Sequence, residues 1–177
     1  TALERVTEVL SAAVLRYRRE IGPEKVVGNI WPYIVMPDGV GVSITQDMMP
    51  LLGPDAYSEF ELPMLDRISD EFDGVWIHCC GRYAQHLQNL RDSDVNILGL
   101  EFHHPFTLFE EIYRVFGDEI AYVPYLFADC TDFESDLAFA EHLLAAGSRQ
   151  TRFWFVRTTD ATDAAALRQA LSRPGPE

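Results

Sequence analysis

Five apolar, β-branched runs recur along the chain, and each is followed by a segment with helical spacing. The runs are GVGVSIT (39–45), GVWIHCC (74–80), VNILGLEF (95–102), EIAYVPYLF (119–127) and TRFWFVRT (151–158). The intervening helical segments are LGPDAYSEFELPMLDRISDEF (52–72), YAQHLQNLRDS (83–93), FTLFEEIYRVFG (106–117), TDFESDLAFAEHLLAAG (131–147) and DAAALRQALS (163–172). Parallel strands need a crossover long enough to hold a helix, and helices then cover the sheet. The alternation therefore predicts an α/β fold, either an open doubly wound sheet or part of an eight-stranded (β/α)8 barrel. In both, chemistry collects at the C-terminal ends of the strands. Those ends read Gln46-Asp47, His78-Cys79-Cys80, Glu101-Phe102-His103-His104, Asp129-Cys130 and Arg157-Thr158-Thr159-Asp160.

Ahead of the alternation, Leu3, Val6, Val9, Leu10, Ala13, Val14 and Tyr17 recur at three-to-four spacing, which predicts an amphipathic helix over 3–20 stopped by Gly22-Pro23. VVGNIWPYIVMPDG (26–39) is apolar but broken by Gly and Pro, so a structured loop is expected. Gly53-Pro54-Asp55 puts a proline and an acid in the first turn of the helix that follows.

The bulk composition narrows the function classes. At 177 residues and 47% hydrophobic content the chain is expected to form one domain, residues 1–177. Its 28 acidic residues against 14 basic ones give a net charge of −14, which disfavours nucleic acid and anionic membranes as partners. No apolar run approaches the ~18 residues that span a bilayer. Three cysteines, two of them adjacent, make no disulfide framework, so a reducing cytoplasm is expected. No strand leads into a GxGxxG or GxxxxGK loop, so the usual nucleotide signature is missing. The chain starts at Thr1 without a methionine, which suggests a piece of a longer protein.

Side chains alternate across a strand, so Trp76, His78 and Cys80 share one face and Val75, Ile77 and Cys79 the other. A His-x-Cys pair at a strand end aims an imidazole and a thiolate at one point, and zinc accepts both ligand types. A catalytic zinc needs a third protein ligand and one open position. Glu101, at the end of the next strand, and Cys130, at the end of the one beyond, are the candidates. The alternative readings are structural: a hydrogen-bonded core histidine with a small buried thiol, and Glu101 as a cap or ion-pair partner. Cys79 is expected to pack against helices, and His103-His104 before Pro105 to lie on an exposed loop. Arg82 reads equally as an anion-binding residue or a solvated loop charge. A Cys80 nucleophile with His78 beside it is the weaker alternative, because no third group orients the pair.

The stretch SITQDMMPLLGPDAYSEFELPMLDRI, followed by GVWIHCCGR, resembles the uroporphyrinogen decarboxylase superfamily through Gly53-Pro54, Tyr57, Phe60 and Pro63, then His78, Cys80 and Gly81. The resemblance runs from about residue 40 to the C-terminus. It implies a (β/α)8 TIM barrel, with about strands 4 to 8 in this chain. Members of one branch decarboxylate uroporphyrinogen without a cofactor. Members of the other are corrinoid-linked methyltransferases that hold zinc by His-x-Cys plus a distant cysteine and activate a thiol. The decarboxylase serine falls at Asp47, and its late histidine falls near Val156 or Arg157. The methyltransferases' third cysteine also falls near Val156 and is missing. Cobalamin-independent methionine synthase, a more distant relative, places a glutamate ligand much where Glu101 stands.

The resemblance therefore implies zinc-dependent methyl transfer between a corrinoid (methylcobamide) or methylated substrate and a small-molecule thiol. His78 and Cys80 would be ligands, Glu101 or Cys130 the third, and Asp47 a substrate-orienting group or proton acceptor. His78 would serve the chemistry directly, and Arg82 and Asp129 would contact substrate. A corrinoid protein and a homodimer are the implied partners. The alternatives are a decarboxylase of a porphyrinogen-like polycarboxylate, with His78 and Arg82 on its anionic groups, and a non-catalytic truncated barrel whose unpaired edge invites association.

Overall fold

A computed structural model of the chain describes residues 1–22, 40–127 and 129–155, with Ala165 and Gln169 beyond them. The five apolar runs form strands β1 (Val42–Thr45), β2 (Val75–Cys79), β3 (Ile97–His104), β4 (Ala121–Leu126) and β5 (Arg152–Phe153). They hydrogen-bond in the order β1-β2-β3-β4-β5, and every neighbouring pair is parallel. The order lacks the reversal that marks a doubly wound sheet. Beyond β5, Trp154 N donates to Tyr122 O at 2.8 Å, which extends the ladder by one bond. The remainder of the run, Val156 to Thr158, and the expected strand end Arg157–Asp160 lie outside the described residues, as does the loop expected over 26–39. Of the helix expected over 163–172, Ala165 and Gln169 are described, and both are helical.

The helices are α1 (Ala2–Ile21), α2 (Pro54–Ala56), α3 (Leu62–Phe72), α4 (Leu87–Asp92), α5 (Phe109–Phe116) and α6 (Asp136–Ala146). A π-helical turn, Tyr57–Glu61, joins α2 to α3. Pro54 opens α2 at a position where its missing N–H costs nothing. Ser135 caps α6 by accepting from Ala138 N at 3.1 Å. No helix among the described residues is long and apolar enough to cross a membrane.

One sheet face meets the helices. There Val75, Ile77, Cys79, Leu100, Phe102 and Tyr122 pack with Leu65, Leu90, Phe109, Ile112 and Leu143 into the main core. The other face carries Trp76, His78, Glu101, His103, Ala121 and Val123, all buried. A bulge between Val75 and Trp76 skips Leu98 and sets Trp76 opposite Gly99. A Cβ on Gly99 would lie 2.4 Å from the Trp76 ring, so only glycine lets the indole cross β3. The indole is fixed there by its bond to Val40 O at 3.0 Å and by edge-on contact with Trp154.

The helix expected over 3–20 forms as α1, and one further expectation needs correction. The apolar stripe of α1 is largely open: Leu3, Val6, Val9, Leu10 and Tyr17 are 42–60% exposed, while Thr7 and Ser11 are buried. Polar contacts orient this helix, with Arg18 bonded to Gly41 O and laid over Phe72, and Glu8 paired with Arg67. The correction concerns His103-His104, which lie in β3 and not on an exposed loop. The residue before a proline prefers extended backbone, so the strand can run up to Pro105.

Candidate metal centre

The β1–β2 ladder continues one step past β1, where Gln46 N donates to His78 O at 2.8 Å. This sets the next residue, Asp47, beside the end of β2, and Cys80 N donates to Asp47 Oδ1 at 3.2 Å. The approach is close because residue 81 is glycine: a Cβ there would sit 2.7 Å from Pro50 Cγ. Thr107 ties the same loop to the end of β3, donating to Gly81 O at 3.0 Å and accepting from Tyr83 N at 3.1 Å.

His78 stands at the centre of four polar side chains. Its Nε2 lies 3.3 Å from Asp47 Oδ1, and its Nδ1 lies 2.9 Å from Glu101 Oε2. The other oxygen of Glu101, Oε1, meets His103 Nε2 at 3.2 Å. His103 is stacked on Tyr125, with ring centroids 4.4 Å apart. The carboxylate of Glu101 is fully buried, and Tyr83 Oη donates to its backbone carbonyl at 3.0 Å. His78, Glu101 and His103 are buried, whereas Asp47 and Cys80 are exposed. The site thus has a closed floor and an open mouth.

Charge follows from this geometry. Burial would lower the pKa of His78, but Glu101 and Asp47 on its two sides outweigh it and hold the imidazole above its ordinary value. Partial burial would raise Asp47, yet the Cys80 N–H and thiol, with His78, keep it below the usual carboxylate range. Burial pushes the Cys80 thiol up, and the adjacent Asp47 carboxylate pushes it further. Cys79, on the helix-facing side, is raised by burial to about 11 and packs as an inert apolar group.

Two donor sets share His78. The ligand atoms of Asp47, His78 and Cys80 all lie within 4.8 Å of one another, and so do those of His78, Glu101 and His103. The first set offers nitrogen, sulfur and oxygen at an open mouth, which suits zinc with three protein ligands and one free position. The second set is the support beneath it. A metal-ligating histidine typically gives its other ring nitrogen to a carboxylate, and Glu101 lies against Nδ1 of His78. The 2.9 Å approach is not aligned as a hydrogen bond, so His78 Nδ1 and Glu101 Oε2 are both buried without a bonded partner.

No family model, curated protein or solved structure matches the chain. The site is therefore read from its own residues. His78 and Cys80 come together as their alternation predicts. Asp47, expected to orient substrate or take a proton, lies with His78 and Cys80 in one group of ligand atoms within 4.8 Å of one another. Glu101, expected as that ligand, lies on the opposite ring nitrogen of His78 and is absent from the group that holds Cys80. Cys130 also stands elsewhere, grouped with His104 and Asp132. Arg82 reaches away from the mouth, donating to Glu111 Oε1 at 2.8 Å and to Phe106 O at 3.2 Å. Asp129 is exposed in the turn after β4 and belongs to neither donor set. The missing cysteine near Val156 falls outside the described residues. His103 is the residue that sequence reasoning passed over, although its Glu101-x-His103 spacing already puts both side chains on one strand face.

A cleft of about 290 Å³ opens beside Asp47 between α1, the end of β1 and α3. Ile44, Met48, Met49, Leu52 and Met64 line it, with Glu61 as a second acid.

Proposed function

We propose that the chain is a partial (β/α)8 barrel of the uroporphyrinogen decarboxylase superfamily and acts as a zinc-dependent methyltransferase. The observation that carries this reading is the convergence of His78 Nε2, the Cys80 thiol and Asp47 at the open C-terminal ends of β1 and β2. The unreversed parallel strand order supports the barrel part. Zinc bound there supplies Lewis acidity that lowers the pKa of an incoming thiol. His78, Cys80 and Asp47 would hold the metal, which would ready the thiol sulfur to accept a methyl group from a methylcobamide or methylated substrate, the thiol proton passing to solvent.

The chain's own residues divide the work. His78, Cys80 and Asp47 hold the centre, and Glu101 orients His78 through Nδ1. His103, braced on Tyr125, holds Glu101. The methionine-lined cleft beside Asp47 suits an apolar methylated substrate or the thiol's carbon chain.

The polycarboxylate decarboxylase is disfavoured by charge. His78 lies between two acids, and Arg82, the cation that would meet substrate carboxylates, is bound to Glu111.

The test is anaerobic incubation of the zinc-loaded protein with methylcobalamin and a panel of small thiols, following loss of the methylcobalamin spectrum and formation of the methyl thioether. Turnover above background that disappears in both His78→Ala and Cys80→Ala is expected. Absence of thioether from zinc-loaded protein with every thiol rejects methyl transfer between these partners.

A further inference from the structure

Consecutive histidines on β3 point to opposite faces of the sheet. His103 belongs to the site beneath His78, and His104 faces the helix layer, where it packs against Phe133 and Phe139 with ring centroids 5.1 and 5.4 Å away. The chain leaving β4 returns to this histidine. Phe127 N donates to His104 O at 3.0 Å, and Cys130 N donates to Phe127 O at 2.9 Å, closing a turn that brings Cys130 and Asp132 alongside the ring. His104 Nε2 lies 2.9 Å from Asp132 Oδ2, and the ligand atoms of His104, Cys130 and Asp132 all fall within 4.8 Å of one another.

We propose that His104, Cys130 and Asp132 form a second metal site, for zinc or another divalent ion of the same borderline character. One nitrogen, one thiolate sulfur and one carboxylate oxygen match the zinc preference, with bonds of about 2.0–2.3 Å. Ligand atoms on such a tetrahedron lie roughly 3.3–3.8 Å apart, so the observed cluster needs only small side-chain adjustments. The ring of His104 is already fixed by its two phenylalanines, and its side chain is only 12% exposed. Asp132 is 57% exposed and leaves the outer position open to solvent. The ion would clamp the β4–α6 loop to the end of β3. This site shares no residue with the centre at His78 and does not depend on the methyl-transfer reading.

The test uses cobalt as the probe, because Co²⁺ occupies zinc-type sites and a thiolate ligand gives it a near-ultraviolet charge-transfer band. Wild type, Cys80→Ala, Cys130→Ala and Asp132→Asn are loaded with excess Co²⁺ in a thiol-free reductant, gel-filtered and analysed for metal by mass spectrometry. The wild type should hold about two equivalents, with each cysteine variant losing one. Asp132 is exposed, so Asp132→Asn leaves the fold intact, and in the Cys80→Ala background it should weaken cobalt binding about tenfold. Cobalt that is absent from folded Cys80→Ala, or undiminished in Cys130→Ala, overturns the second site and identifies His104–Asp132 as an ordinary ion pair. One equivalent in the wild type and in Cys80→Ala, with none in Cys130→Ala, leaves the second site standing and rejects the first.

Discussion

Glu101→Gln keeps the shape of the buried side chain and removes the carboxylate shared by His78, at 2.9 Å, and His103, at 3.2 Å. Glu101 is fully buried, so no solvent ion takes its place. The contact with His103 is the aligned hydrogen bond, and a hydrogen bond to a charged group contributes about 1.5–3 kcal/mol. The ion pair with His78 adds to this when His78 is protonated. Glutamine is cheaper to desolvate than a carboxylate, which offsets part of this and brings the expected cost to about 2 kcal/mol.

The pH dependence gives a sharper test. The folded pKa of His78 is raised, because Glu101 and Asp47 overcome the opposing effect of burial. Stability from a raised histidine is fully present below the unfolded value of about 6.5 and is lost as pH climbs through the folded pKa. The cost of Glu101→Gln should therefore be larger near about pH 6 than near about pH 9. Urea unfolding of the metal-free wild type and variant at both pH values measures it. Equal costs at the two pH values, or none at the lower, refute the assignment of Glu101 as the anion that holds His78.

Gly99→Ala should destabilise the fold by about 1–3 kcal/mol in the same assay, because the new methyl meets the Trp76 ring with Ala121 O behind it. His86 is buried against Tyr57 and bonded to Met49 O at 3.0 Å, and burial lowers its pKa. It stays neutral in the folded protein, so its contribution is intact above about pH 6.5 and is lost as pH falls below that. The stability advantage of wild type over His86→Gln should accordingly shrink between about pH 7 and about pH 5. The Cys80 thiol is raised above its ordinary value and carries a proton at neutral pH before metal binds, while the raised pKa of His78 adds a second proton as pH falls. Zinc affinity at this site should rise with pH, and calorimetry of Cys130→Ala in buffers of different ionisation enthalpy should report at least one proton released, with more released at lower pH.

The strands were legible as continuous apolar runs, the mark of parallel strands covered on both faces, and the face of β2 from period-two alternation. His78 and Cys80 needed nothing further to be placed together. The end of β3 was not legible, since His103-His104-Pro105 reads as loop by composition while the backbone before proline favours extension. Nor was the partner of Cys80. Asp47 reaches it through a cross-strand bond to His78 O and a backbone approach that Gly81 permits at Pro50, and sequence spacing encodes neither. Cys130, the alternative third ligand, stands apart from His78 because it lies beyond the end of β4 at Leu126, where strand alternation no longer fixes a side chain's face. The turn bonded to His104 O takes it to the helix side. Helix α1 shows the converse limit: an apolar stripe marks a helix but not what covers it, and here Arg18 and Glu8 set the orientation.

The most direct test of the centre at His78 is X-ray absorption at the zinc edge of the zinc-loaded Cys130→Ala protein, with and without Cys80→Ala. One sulfur at about 2.3 Å with nitrogen and oxygen at about 2.0–2.2 Å, the sulfur vanishing with Cys80, is the expected result. A zinc shell without sulfur in the protein that retains Cys80, or no bound zinc at all, contradicts it.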